Sequence, residues 1–194
     1  KYLVNAINEH QIRKNLLFFS STSHVYSFLN RKINESEPTK GVSLYGKTKI
    51  LAENYILNNC KSYDFCIGRI SSLVSEEQDS NYVLKKIIHK CKKDKKITFG
   101  NSNIKRNFIY VDDVSKIIIK ILRKKIVGII NISNTEITDF GNLFNFLQKK
   151  YSFNITHYKK KKNYLLLSNK LLYKKIGKYN FISIKDIIDK IYNF

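Results

Sequence analysis

Methionine and tryptophan are absent from this 194-residue chain, proline occurs once, cysteine three times, glycine seven times, and acidic residues number only 15. So few prolines and glycines exclude collagen-like and linker-like chains. No apolar run approaches the roughly 20 residues that a membrane-spanning helix needs, and no membrane partner is expected. Cys60, Cys66 and Cys91 are odd in number and lack metal-ligand or redox spacing. They read as reduced thiols of a cytoplasmic protein, with no metal site. With 43% hydrophobic and 26% charged residues the chain is not disordered, and its length suits one domain with a sizeable core or a large piece of a bigger one. It opens at Lys1 directly into an amphipathic pattern, with no leader. It reads as the interior and end of a longer gene product.

The charge is one-sided. A formal net charge of +21 creates a field that attracts phosphate. Lysine nevertheless outnumbers arginine 31 to 5, isoleucine (28) and asparagine (21) are abundant, and alanine (2) is scarce, as an AT-rich genome imposes on any protein. Bidentate phosphate or guanine contact calls for arginine. Nonspecific binding at low salt is expected, and no specific nucleic-acid partner.

Short apolar runs alternate with helical stripes, the pattern of an α/β fold with a parallel sheet. Residues 2–9 look like the end of a helix. Residues 16–20 (LLFFS) form a run suited to a strand buried on both faces, which ends in the polar cluster 20–24. A helix is expected from Ser43 to Asn59 with Leu44, Thr48, Leu51 and Tyr55 on one stripe, then a strand from Phe65 to Ile70. Leu84, Ile87, Ile88 and Cys91 mark the face of a helix from about Ser80 to Lys93, followed by a strand at 97–99. Asp112 is placed to cap a helix carrying Val114, Ile117, Ile118, Ile121 and Leu122. Residues 127–132 read as a strand, Thr138 as the cap of a helix through Gln148, and 184–191 as a closing helix.

The strongest chemical signal is Tyr45-Gly46-Lys47-Thr48-Lys49. On a helix, residues four apart share a face, so Lys49 stands beside Tyr45. A phenol of pKa about 10 becomes a usable proton acceptor near neutrality when an adjacent ammonium favours the phenolate. Other Tyr and Lys residues meet at this spacing by chance, but the order of the pieces is more specific. Ser20-Ser21-Thr22-Ser23-His24-Val25-Tyr26 is followed by Glu35 and Pro38, then by the Tyr45–Lys49 run and Glu53. Later come Phe99-Gly100, Arg106-Asn107-Phe108-Ile109-Tyr110-Val111-Asp112-Asp113-Val114, Asn131-Ile132-Ser133 and Ser168-Asn169-Lys170-Leu171. In this order the sequence resembles the NAD-dependent epimerase/dehydratase group of the extended short-chain dehydrogenases/reductases, over essentially its whole length.

The resemblance implies the C-terminal part of a Rossmann-like doubly wound parallel sheet plus a small α/β substrate-binding region. Residues 1–75 would be the second half of the NAD(P)-binding domain. Residues 76–194 would be mostly substrate-binding, with those near 107–135 returning to the Rossmann sheet. It implies Tyr45 as acid/base, Lys49 on the nicotinamide ribose, Thr22 on the reacting hydroxyl, and cofactor contacts at Ser20, Tyr45, Lys49 and Arg69. Substrate contacts would fall at Thr22, Ser72 and Arg106, the last on the diphosphate of a nucleotide sugar. The cofactor is NAD or NADP, and a homodimer is implied through helices like that beginning near Tyr45.

Several positions depart from the family. Thr22-Ser23-His24 lacks the carboxylate that its dehydratases and decarboxylases use as a second acid/base, so epimerisation is expected rather than elimination. His24 itself reads as a solvated loop residue, and the lysine run 159–162 as a solvated loop. Residues 69–75 lack the family's asparagine and glycine. The glycines, at 41, 46, 68, 100, 128, 141 and 177, nowhere form the cluster that lets backbone amides approach a pyrophosphate. The first half of the nucleotide-binding fold is therefore expected to lie outside this chain, which alone should bind NAD poorly. A keto-sugar reductase, a non-catalytic remnant and a basic nucleic-acid-binding module are the alternative readings.

Overall fold

The computed structural model describes residues 1–10, 16–60, 63–94, 96–158 and 160–193. Helix α1 (Tyr2–Glu9) precedes strand β1 (Leu16–Thr22), a single 3-10 turn (Ser23–Val25), strand β2 (Lys32–Ile33) and helix α2 (Leu44–Asn59). Strands β3 (Asp64–Ile70) and β4 (Ser72–Val74), helix α3 (Val83–Lys93) and strands β5 (Lys96–Phe99), β6 (Ile104–Arg106) and β7 (Phe108–Tyr110) follow. Helix α4 (Val111–Arg123), strands β8 (Gly128–Ile132) and β9 (Thr138–Asp139) and helix α5 (Phe140–Tyr151) come next. Strands β10 (Asn154–His157) and β11 (Asn163–Leu167) and helices α6 (Lys170–Ile176) and α7 (Ile184–Asn193) complete the chain.

The main sheet is parallel, in the order β1-β3-β8. Side chains alternate across it. On one face Ile67 of β3 meets Val4 of α1 and Ile56 of α2. On the other, Cys66, Ile130 and Ile132 pack beneath Val114, Ile117 and Ile121 of α4 and Leu172 and Ile176 of α6. Burial on both faces accounts for the apolar runs of β3 and β8, whereas β1, expected to be buried on both faces, lies at the sheet edge with Leu16–Phe19 only half-buried. Burial also pushes the Cys66 thiol up to about 12, and that of Cys91 likewise, so both stay inert. A second core joins α3, α5 and α7 around Leu84, Ile88, Phe140, Phe144, Leu147 and Ile188.

Smaller sheets link the two cores. β4 pairs with β7, β5 with β10, and β2, β11, β6 and β9 form a four-stranded sheet. Most of these strands span only two to four residues, too short to leave a periodicity in the sequence.

Three sequence expectations need correction here. The stripe Leu44, Thr48, Leu51, Tyr55 does not face the core: Leu44 is 79% and Leu51 70% exposed, and the buried residues of α2 are Gly46, Glu53 and Ile56. The helix meets the core through Gly46, Ile50, Glu53 and Ile56 rather than through its leucines. Asp112 does not cap α4, whose N-cap is Tyr110; both aspartates lie in the first turn, where carboxylates suit the helix dipole. Asp113 is buried and accepts from Tyr179 Oη (2.9 Å) and Ile182 N (2.9 Å), tying down the C-terminal segment. The cap of α5 is Asp139, not Thr138, its Oδ1 accepting from Gly141 N and Asn142 N.

Candidate active site

Parallel sheets present their functional loops at the carboxyl ends of their strands, and β1 ends at Ser20–Thr22. The chain turns there through residues 23–25, and Thr22 Oγ1 accepts from His24 N (3.3 Å). Helix α2 starts beside this turn because Ser43 caps it, its Oγ accepting from Gly46 N (3.0 Å). The approach is so close that a Cβ on residue 46 would lie 2.2 Å from the His24 carbonyl oxygen.

Gly46→Ala therefore has a predictable sign. The helix gains up to about 1 kcal/mol in propensity, but the clash is with backbone and cannot be relieved by a rotamer change. Overpacking of this kind costs about 1–3 kcal/mol, so a net loss of stability is expected in urea titration, with α2 pushed away from the turn.

Tyr45 and Lys49 do share a face. Lys49 Nζ donates to Ser20 O (2.8 Å) and lies 5.8 Å from the Tyr45 ring centroid and 4.9 Å from that of Phe19. Tyr45 is 54% exposed, and among the described residues its hydroxyl has no hydrogen-bond partner. Ser20, Thr22, Tyr45 and Lys49 are thus brought together at one strand end.

His24 is not the solvated residue its loop position suggests. It is half-buried, Nδ1 lies 3.3 Å from Ser43 Oγ, and its ring meets that of Tyr45 edge-on at 6.2 Å. Burial, and then the positive charge of Arg106, hold its pKa below the usual histidine value. The folded state thus disfavours the proton. His24 contributes stability that is fully present above pH 6.5 and is lost as pH falls through its lower folded value. Melting temperature is expected to fall between pH 7 and pH 5, and His24→Gln, which cannot titrate, to fall less.

Arg106 flanks the same space. Its guanidinium lies 5.3 Å from the Phe28 ring centroid and donates to Asn163 O (2.6 Å) and to Asn163 Oδ1. Burial lowers its pKa to about 10, which leaves it cationic at neutral pH. The neighbouring lysine run is pinned through its backbone, with Asn103 Nδ2 donating to Lys160 O and Asn101 Nδ2 to Lys161 O. Lys159 lies outside the described residues. Ser72 opens β4, its N–H donating to the O of Asn107 (3.2 Å), the residue after Arg106.

Arg69 does not join this group. It is 4% exposed, and all three guanidinium nitrogens donate inside the protein, to Glu53 in a fork (Nη2 to Oε2, 2.7 Å), to Tyr26 Oη (2.8 Å) and to Glu35 O (3.3 Å). Burial alone would lower its pKa, but Glu53 and Tyr26 hold it above the ordinary value. Ser21 Oγ donates to Glu53, and Tyr26 Oη to Asn131 Oδ1 (2.9 Å). Sequence reasoning saw these residues as separate motif letters. Their shared feature, polar groups that must be satisfied once buried, was the signal available.

The donors at the end of β1 suit a ribose diol and a reacting carbinol: an exposed phenol, an ammonium beside it, and a threonine hydroxyl. The seven glycines are dispersed along the sequence, without the cluster of a dinucleotide-binding turn. Among the described residues no helix is long and apolar enough to cross a membrane.

Comparison with known proteins adds four observations. Residues 1–133 match the sequence model of the NAD dependent epimerase/dehydratase family. A candidate UDP-glucose 4-epimerase of Methanocaldococcus jannaschii is 32% identical over 145 residues, 71% of this chain and 47% of that protein. Among solved structures, the NAD dependent NDP-hexosamine 5,6-dehydratase TunA superposes with a TM-score of 0.87 at 13% identity, over 99% of this chain and 66% of that one. The UDP-glucuronic acid 4-epimerase from Bacillus cereus, in complex with UDP-glucuronic acid and NAD, gives 0.83 at 22% identity, over 98% and 64%. At these identities the structures establish the Rossmann-like fold. The chain spans less than half the length of the curated relative and about two thirds of the solved neighbours.

Proposed function

The chain belongs to the NAD dependent epimerase/dehydratase family, and from that premise we propose that it carries the acid–base side of a nucleotide-sugar epimerase. The observation that carries the reading is the Tyr45–Lys49–Ser20 arrangement at the end of β1. In this reading residues 1–75, joined by the strand at 128–132, form the cofactor side, and residues 76–194 are otherwise mostly the substrate side.

Tyr45 accepts the proton of the sugar hydroxyl at its phenolic oxygen, and the Lys49 ammonium stabilises the phenolate. Lys49, held in place by its bond to Ser20 O, would also hold the ribose of NAD. Thr22 orients the reacting hydroxyl, and Arg106, whose Nη1 is taken by Lys105 O and Asn163 O and whose Nη2 donates once to Asn163 Oδ1, turns its charge and its remaining N–H donors to the diphosphate. The chemistry supplied by the bound cofactor is reversible hydride acceptance at the sugar carbinol. Arg69, its donors turned inward, supports the site from below. No carboxylate stands at position 24 to act as a second acid/base, which favours epimerisation over elimination.

The test is NAD binding by calorimetry and hydride transfer with a panel of UDP-, GDP- and dTDP-sugars, in this chain and in the full reading frame that contains it. Epimer formation dependent on Tyr45 supports the reading. A reduced sugar formed in one direction identifies a reductase, and neither binding nor turnover removes the enzyme reading.

The exposed leucines of α2 favour a homodimer, because Leu44, Leu51 and Leu57 place apolar area on solvent. Sedimentation velocity is expected to show a dimer that Leu51→Glu dissociates.

A further inference from the structure

Tyr45, Lys49 and Glu53 occupy one stripe of α2, each one turn below the last. They differ in depth: Tyr45 is 54% exposed and Glu53 1%. Lys49 donates to Ser20 O while Glu53 accepts from Ser21 Oγ, so consecutive turns of the helix hold consecutive residues of β1. The lower contact is locked on its far side. Glu53 is gripped by Arg69 of β3, Arg69 by Tyr26 and Glu35 O, and Tyr26 by Asn131 of β8. Asn131 closes the set, Nδ2 donating to Ile33 O (3.0 Å) and its N–H to Glu35 Oε1 (2.9 Å). All three strands of the main sheet, the helix and the segment after the 3-10 turn are pinned at the level of Ser21, which is in register with Arg69 of β3 and, through it, with Asn131 of β8.

We propose that Glu53 and Arg69 are positioning residues that set the rotation of α2 and so keep Tyr45 and Lys49 at the end of β1, a role that rests on the acid–base reading above. Apolar side chains filling the same volume would pack equally well at many helix rotations. A planar fork on a carboxylate accepts only one. The leucines of α2 lie on the solvent side and supply no such constraint. The pair has a second effect. Arg69 neutralises the carboxylate one turn below Lys49, which would otherwise draw the ammonium down and away from Ser20 and Tyr45.

The experiment is 19F NMR of the 3-fluorotyrosine-labelled chain, with the Tyr45 signal assigned among thirteen by its loss in Tyr45→Phe. In the parent, Lys49→Met should displace the Tyr45 signal by more than a linewidth. The double variant Glu53→Leu/Arg69→Met removes both charges together, which a fold often tolerates. It should melt as a folded protein with a displaced Tyr45 signal that no longer responds to Lys49→Met. Arg69→Lys keeps the charge but not the fork, should give the same loss of response, and carries the test if the double variant does not fold. A folded variant whose Tyr45 signal matches the parent and still responds to Lys49→Met overturns the proposal. A parent signal that ignores Lys49→Met removes the acid–base coupling itself, and the positioning role with it.

Discussion

Tyr45→Phe in the full reading frame is expected to lower kcat by about 10²–10⁴, the usual contribution of a positioned general acid or base, with nucleotide-sugar binding unchanged. The substitution removes one oxygen from a ring that is more than half exposed and whose hydroxyl has no partner among the described residues. Stability should therefore stay within about 0.5 kcal/mol, as for surface substitutions that break no buried contact. The ring itself is retained, so its edge contact with His24 remains. A loss confined to kcat marks an interaction made only in the transition state. Lys49→Met should behave differently, lowering kcat and weakening cofactor binding together, because the ammonium is assigned to both. Steady-state kinetics with calorimetric binding of the sugar nucleotide separate the two patterns. A Tyr45→Phe enzyme within tenfold of the parent, a difference of less than about 1.4 kcal/mol, would sink the acid–base assignment.

Much of the architecture was legible because it follows from periodicity. The stripes of α3 and α4 have only one way to bury themselves and form two core helices, and the apolar run at 16–20 forms β1, though at the sheet edge and only half-buried rather than covered on both faces. Tyr45 and Lys49 were legible because the helix fixes their relation within one turn. What was not legible depends on partners distant in sequence. Glu53 lies 16 residues from Arg69, and Arg69 lies 43 from Tyr26; no local pattern reveals that these groups meet in the core. The same network explains the misread face of α2. A stripe of leucines is normally the buried one, but here the anchoring groups Gly46 and Glu53 face the strand end and turn Leu44 and Leu51 outward. His24 was misread for a related reason, since the tight approach allowed by Gly46 is what half-buries it. Asp139 in place of Thr138 is a one-residue error at a helix end, where two capping side chains stand side by side.

Arg69→Met carries the largest expected effect on stability. The Arg69–Glu53 pair is 5% and 2% exposed at its side chains, so removing the cation leaves a carboxylate buried with Ser21 Oγ as its remaining donor among the described side chains. Breaking a buried pair in this way costs about 3–5 kcal/mol. The surface pair Lys105–Asp139, 3.5 Å apart with a third of each side chain exposed, should cost at most about 1 kcal/mol when Lys105→Met breaks it. For a chain of this size a kilocalorie corresponds to roughly 2–4 °C, so Arg69→Met should melt about 6–20 °C below the parent and Lys105→Met nearly with it. Salt sharpens the contrast, since raising ionic strength should erase the small effect of Lys105→Met and leave that of Arg69→Met in place. Glu53→Leu added to Arg69→Met removes the stranded charge, and most of the lost stability should return. Melting curves of the three variants at low and high salt decide it. A double variant no more stable than Arg69→Met would mean that the loss comes from the packing of the arginine stem rather than from an uncompensated carboxylate.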